Sequence, residues 1–214
     1  MKELEIHPEL ERFERTVYVA DGPIDFATWL DLSHAVDSDL IQGVIVQKMA
    51  AQYPHEWIYM WLSRVVGDFV EAQNLGKILG SRMAVKISNT GGRLPDLVFV
   101  RADNLGIIQK DAIYGVPDLV IEIVSENDRP AHLITLENDY RTLGVSEIVF
   151  IDPRKKRVRV VTKTDAEYDD TVLTMGQLTF ASVPGFAIEV EWLFADDKPV
   201  VHHIVAKLLA SAGA

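Results

Sequence analysis

The stretch Pro117-Asp118-Leu119-Val120-Ile121-Glu122-Ile123-Val124-Ser125 decides the fold. Its run of aliphatic side chains, opened by Pro-Asp, reads as a strand buried on both faces and therefore central in a sheet. Only Glu122 breaks the run. A carboxylate in that place is costly unless an ion pair, hydrogen bonds or a metal ion satisfies it. A salt bridge to a nearby Arg or Lys is one account of Glu122; a metal ligand or an acid–base group is the other.

Downstream, Leu133, Leu136, Tyr140 and Leu143 recur at helical spacing after Pro130, and Gly144 ends the pattern. Glu147-Ile-Val-Phe-Ile-Asp152 is the next strand. Strand 117–124, helix 131–143 and strand 147–152 make a βαβ unit with a right-handed crossover. Pro153-Arg-Lys-Lys-Arg157 is a basic turn, Val158–Thr164 opens a set of further short strands, and His202–Ala210 reads as a helix. Upstream, Pro95–Val100 is read as the return strand of a hairpin whose first arm is Arg82–Ser88 and whose turn is Asn89-Thr-Gly-Gly92. A helix is expected from about His55 to Asn74, stopped by Gly76. Asp39–Val46 reads as a strand interrupted at Gly43, Ile24–Val36 holds a short helix, and Asp21-Gly22-Pro23 is a turn. The fold class is α/β (α+β), a mixed sheet flanked by helices in a single domain.

Composition narrows the function. Hydrophobic residues make up 48% and charged residues 25% of the 214, which is the balance of a packed protein and not of a disordered one. Lys plus Arg is 21 and Asp plus Glu is 32, a formal charge of −11, so generic coating of nucleic-acid phosphate with cations is disfavoured. The absence of cysteine excludes disulfide scaffolds, iron–sulfur clusters and thiol nucleophiles. The polar start Met-Lys-Glu-Leu-Glu-Ile-His and the lack of a run of about 20 apolar residues lead to the expectation of a cytoplasmic protein with no membrane partner.

A divalent ion such as Mg²⁺ prefers oxygen ligands, so Glu122 needs a second carboxylate nearby. Asp118 shares its strand face but stands about 13 Å away along the strand, too far to share one ion. Asp96 opens the preceding strand and can sit beside Glu122 across the sheet. An Asp after Pro at a strand start is otherwise an ordinary turn residue.

Pro95-Asp96 and Glu122 within its Pro-Asp-opened strand resemble the PD-(D/E)XK nuclease pattern. The nearer resemblance is to the Uma-type, restriction-endonuclease-like family of bacterial proteins. It continues through Tyr140-Arg-Thr-Leu-Gly144-Val145-Ser-Glu-Ile-Val-Phe-Ile-Asp152-Pro153, Val183-Pro-Gly-Phe186 and Trp192-Leu-Phe194, with Asp39-Leu-Ile-Gln-Gly43 and His55 upstream. The resemblance implies a nuclease domain over 25–195, after an N-terminal extension (1–24) and before a helical tail (196–214). It implies Asp96 and Glu122 as ligands of Mg²⁺ or Mn²⁺, DNA as substrate, and an ion that activates water and offsets phosphate charge.

The chain departs from the pattern at the lysine that usually completes such a site. Val124 stands two residues after Glu122, and the later position at which the Uma-type family carries its Lys falls on Leu136, with His132 four residues earlier where an Asp is common. Lys86, expected nearly opposite Asp96 on the hairpin, is the substitute cation, and Arg129 is another. Asp39 and His55 are the assisting groups. His202-His203 reads as a surface helix end, Trp57 and Trp61 as core or dimer packing, and Arg154-Lys155-Lys156-Arg157 with Arg159 as a solvated turn or a phosphate contact. Two functions remain in view. One is a divalent-metal-dependent DNA endonuclease using Asp96, Glu122, Lys86, His55 and Asp39, and a homodimer would suit a two-stranded substrate. The other is a nuclease-fold protein without catalysis that binds nucleic acid or a protein.

Overall fold

The computed structural model describes residues 17–18, 22–33, 37–48, 50–80, 82–126, 128–165 and 167–212. His7, His34, Asp21 and most of the expected extension at 1–24 lie outside the described residues. In chain order the elements are β1 (Val17–Tyr18), α1 (Phe26–Ser33), β2 (Ser38–Ile41), β3 (Val44–Gln47), α2 (Tyr53–Ala72), β4 (Gly76–Gly80), β5 (Ala84–Ser88), β6 (Gly91–Arg93), β7 (Leu97–Arg101), β8 (Ala112–Ile113), β9 (Leu119–Ile123), α3 (Pro130–Leu143), β10 (Glu147–Asp152), β11 (Arg157–Lys163), β12 (Tyr168–Leu173), β13 (Gln177–Thr179), β14 (Ala187–Glu189), α4 (Val190–Phe194) and α5 (Val201–Ala212). A 3₁₀ segment, Ala102–Ile107, follows β7. The architecture is α+β, with two mixed six-stranded sheets, one β1-β3-β2-β6-β5-β8 and the other β12-β11-β10-β9-β7-β4.

The chain gathers into two compact units, and each sheet belongs to one of them. The first unit comprises 1–50, 82–95 and 108–115. The expected interrupted strand at 39–46 is here a hairpin of β2 and β3, because Gln42 and Gly43 both take positive φ (51° and 80°) and turn the chain back on itself. Trp29, Phe26, Leu30, Leu40, Ile45 and Leu94 form this unit's core. Gly92 is required where it stands, since a Cβ there would meet the Trp29 ring at 2.5 Å.

The hairpin expected from 82 to 100 is shorter than its sequence pattern. β5 pairs with β6, with Val85 opposite Arg93 and Lys86 opposite Gly92. Pro95 then ends the pairing, having no N–H to give. Residues 97–101, expected as the return arm, instead form β7 of the other sheet. The expectation that Lys86 stands opposite Asp96 is corrected by this register.

The second unit comprises 51–81, 96–107 and 116–214. β9 lies between β7 (antiparallel) and β10 (parallel), and all five of its residues are buried, as an aliphatic run predicts. The β9–α3–β10 unit is present, with α3 ended by Gly144 in the left-handed conformation. α2 begins at Tyr53, two residues earlier than expected, because Pro54 is tolerated in a first helical turn. Its stripe Ile58, Trp61, Leu62, Val65, Val66, Phe69 and Val70 is buried with Phe99, Leu119, Ile121, Phe186 and Leu208. Each such side chain contributes about 1.5–3 kcal/mol on leaving water, so this cluster holds the strands that carry the carboxylates. Among the described residues no helix is long and apolar enough to cross a membrane.

Candidate active site

Of the two carboxylates singled out by the sequence, Asp96 immediately precedes β7 and Glu122 lies in β9, its neighbour in the second unit. β7 and β9 pair with Leu97 opposite Ile121, so one further step in that register sets Asp96 across from Glu122. Residues directly opposite in an antiparallel pair have Cβ atoms about 4.5–5.5 Å apart and face the same side. Both are buried, Asp96 at 8% and Glu122 at 7% exposure.

Each is held by groups the fold supplies. The Ile123 backbone N–H donates to Asp96 Oδ2 at 2.7 Å. His55, in the first turn of α2, places Nε2 3.2 Å from the same oxygen, with its Nδ1 3.5 Å from Glu56 Oε1. The Tyr140 hydroxyl, on α3 and fully buried, donates to Glu122 Oε1 at 2.5 Å. Short bonds from neutral donors to an ionised carboxylate are strong and fix its rotamer. Asp96 and His55 are thus in contact, and the ladder register carries Glu122 across from Asp96.

The remaining expected site residues belong to the first unit. Asp39, 2% exposed, accepts from Arg93 Nη1 and from the Leu94 backbone N–H, both at 3.1 Å. Arg93 is itself fully buried, so this pair is a buried ion pair of the core. The Lys86 ammonium lies 5.6 Å from the Phe26 ring centroid and 5.7 Å from that of Tyr114, a cation–π arrangement.

Sequence reasoning missed Tyr140 as a polar group, because an aromatic on an apolar stripe reads as core. It also missed Arg93, whose partner is 54 residues away. Leu136 is 5% exposed, one helical turn before Tyr140, and packs as an apolar residue does. Arg129 is the N-cap residue of α3. Trp61 is core, with its indole N–H on the Pro199 carbonyl, while Trp57 is 38% exposed and stacked on Tyr53.

The basic cluster separates into different roles. Arg159 bonds Glu137 and Asp170, which together hold its guanidinium protonated well above the ordinary arginine range. Lys155 and Arg157 face Asp152. Arg154 lines a pocket of about 170 Å³ with Gln52, Pro54, His55, Val124, Ser125, Glu126 and Pro153.

The donor chemistry fits a hard divalent ion. Mg²⁺ commonly takes one or two carboxylates and completes its shell with water and substrate phosphate. Asp96 and Glu122 offer that pair. Among the described residues no group of three or more His, Asp or Glu side chains is arranged to cage an ion.

The mixed sheet flanked by helices belongs to the restriction-endonuclease-like class, as the family match shows. Residues 25–193 match the family Uma2, described as "Putative restriction endonuclease", and the chain belongs to that family. The chain is also similar to the crystal structure of a "putative nuclease belonging to DUF820" from Anabaena variabilis ATCC 29413. The two share 19% identity at a TM-score of 0.69, over 80% of this chain and 98% of that one, a likeness of fold. No curated protein matches the chain.

Proposed function

We propose that this chain is a divalent-metal-dependent DNA endonuclease whose ion is held by Asp96 and Glu122. The observation that carries the reading is the placement of two buried carboxylates across β7 and β9, with His55 on one and Tyr140 on the other. Two like charges so near each other repel, and a cation between them relieves that repulsion. When bound, such an ion supplies a Lewis acid for phosphate oxygens and lowers the pKa of its water.

The chain's own groups do the rest. Ile123 N–H and His55 orient Asp96; Tyr140 orients Glu122. His55, whose Nε2 lies on Asp96, is the proton-handling group of the site in place of the usual lysine. In this reading Asp39 and Lys86 serve the first unit, where their contacts lie.

A second reading is favoured by one observation. Leu136 is buried where the family resemblance places a lysine, so the chain would bind nucleic acid without cutting it. Plasmid nicking in Mg²⁺ or Mn²⁺ separates the two. The endonuclease reading expects wild-type nicking that falls by about a hundredfold or more in Glu122→Gln, the scale of losing a main electrostatic group. Equal nicking by both proteins overturns it. Binding without nicking by the wild type selects the second reading.

A further inference from the structure

We infer that the pocket beside His55 is a phosphate subsite for a nucleic-acid strand, with Arg154 as its anion-holding residue. The strand as ligand rests on the endonuclease reading above; the phosphate chemistry rests on the pocket.

β9 and β10 are parallel, so their carboxyl ends share one edge of the sheet. Val124, Ser125 and Glu126 follow the first strand, and Pro153 and Arg154 follow the second. Ligands of sheets with parallel strands gather outside such carboxyl ends. The first turn of α2 completes the wall with Gln52, Pro54 and His55. The pocket's 170 Å³ far exceeds the about 10–15 Å³ that admits a single water.

The charges around the turn are divided in a telling way. Lys155 and Arg157 are drawn to Asp152, whose Oδ1 also accepts the Lys155 backbone N–H at 3.1 Å. Arg154 makes no ion pair among the described residues, and it is the arginine on the pocket wall. A guanidinium presents a planar fork that matches phosphate oxygens two at a time. Ser125 and Gln52, residues with neutral donors, line the same pocket. Among the described residues that line it, Glu126 is the one carboxylate, and it opposes an anion.

His55 lines this pocket and also contacts Asp96. A phosphate seated on Arg154 therefore lies one side chain away from the proposed metal ligands. That is the place of a phosphate neighbouring the scissile one, whose seating fixes the register of the strand. Arg154 is in this account a positioning residue.

The test uses the full chain and two probes. Inorganic phosphate, titrated calorimetrically, reads the pocket. A labelled short DNA, bound in Ca²⁺ and followed by anisotropy over a salt series, reads the strand. Arg154→Gln is expected to weaken both by tenfold or more. It should also flatten the slope of log affinity against log salt by about 0.7–0.9, one phosphate contact. Lys156→Gln, which removes an equal charge from the same turn, is expected to change either by less than twofold, and Glu126→Gln to tighten both about threefold.

Arg154→Gln and Lys156→Gln with equal effects overturn the inference in favour of diffuse charge. An effect on inorganic phosphate with no effect on DNA overturns the strand assignment. If the wild type nicks plasmid and Arg154→Gln nicks with unchanged KM, the subsite falls and the endonuclease stands. If the wild type does not nick but Arg154→Gln still loses both probes, the endonuclease falls and the subsite stands.

Discussion

The two ends of the β7–β9 pair are built from the same words and do different things. Pro-Asp-Leu-Val opens each strand, at 95–98 and at 117–120. Because the strands are antiparallel, each Asp stands where the other strand ends, and each accepts a backbone N–H there. Asp96 takes the Ile123 N–H at 2.7 Å, and Asp118 takes the Arg101 N–H at 2.9 Å. Both are 8% exposed. The difference lies in the next contacts. Asp118 meets the Arg101 guanidinium at 3.1 Å and the Asn104 amide at 3.1 Å, and the same register that sets Glu122 opposite Asp96 sets Val100 opposite Asp118. One end is a carboxylate met by a guanidinium; the other is a carboxylate met by a histidine and facing a second carboxylate across the ladder. In the function proposed above, burial and local motif are shared by the two carboxylates, and the charge across the ladder is what sets Asp96 apart from Asp118.

That comparison can be broken by substitutions at either end. Asp96→Asn is expected to lower metal-dependent nicking by about 10²–10³-fold, whereas Asp118→Asn leaves it within about twofold, measured as initial rates on supercoiled plasmid. The order reverses for stability without metal. Asp118→Ala strands the Arg101 N–H and is expected to cost about 2 kcal/mol in urea denaturation. Asp96→Ala strands Ile123 in the same way but also removes the charge opposite Glu122, so it costs less. Equal losses would mean that the like-charge pair is not felt. Tyr140→Phe is expected to weaken Mn²⁺ binding by about tenfold, the usual loss when a ligand's own hydrogen-bond donor is removed, with the fold intact by circular dichroism. Arg101→Gln should cost under about 1 kcal/mol, because its guanidinium is 54% exposed and Asp118 keeps the backbone bond.

Much of the second unit was legible from its pattern. β9 announced itself as an apolar run, and Glu122 as the residue that breaks it. α3 and β10 followed from period and glycine. The pairing of Asp96 with Glu122 follows from antiparallel strands with Pro-Asp at the start of one. The crossing at Leu94-Pro95 was not legible, since alternation before and after it reads as one hairpin and only tertiary pairing assigns β6 and β7 to different sheets. The expected position of Lys86 went with it. Tyr140 was hidden because its ring obeys the helical stripe while its hydroxyl does separate work. Asp39 is expected as an assisting acid from the family resemblance alone, and its ion pair with Arg93, remote in sequence, leaves no periodic trace.

Anomalous diffraction from crystals soaked in millimolar Mn²⁺ tests the account most directly, since both ends of the ladder appear in one map. The account predicts a single peak between the carboxylates of Asp96 and Glu122 and none at Asp118. No peak at Asp96 and Glu122, or a peak at Asp118 instead, would contradict it.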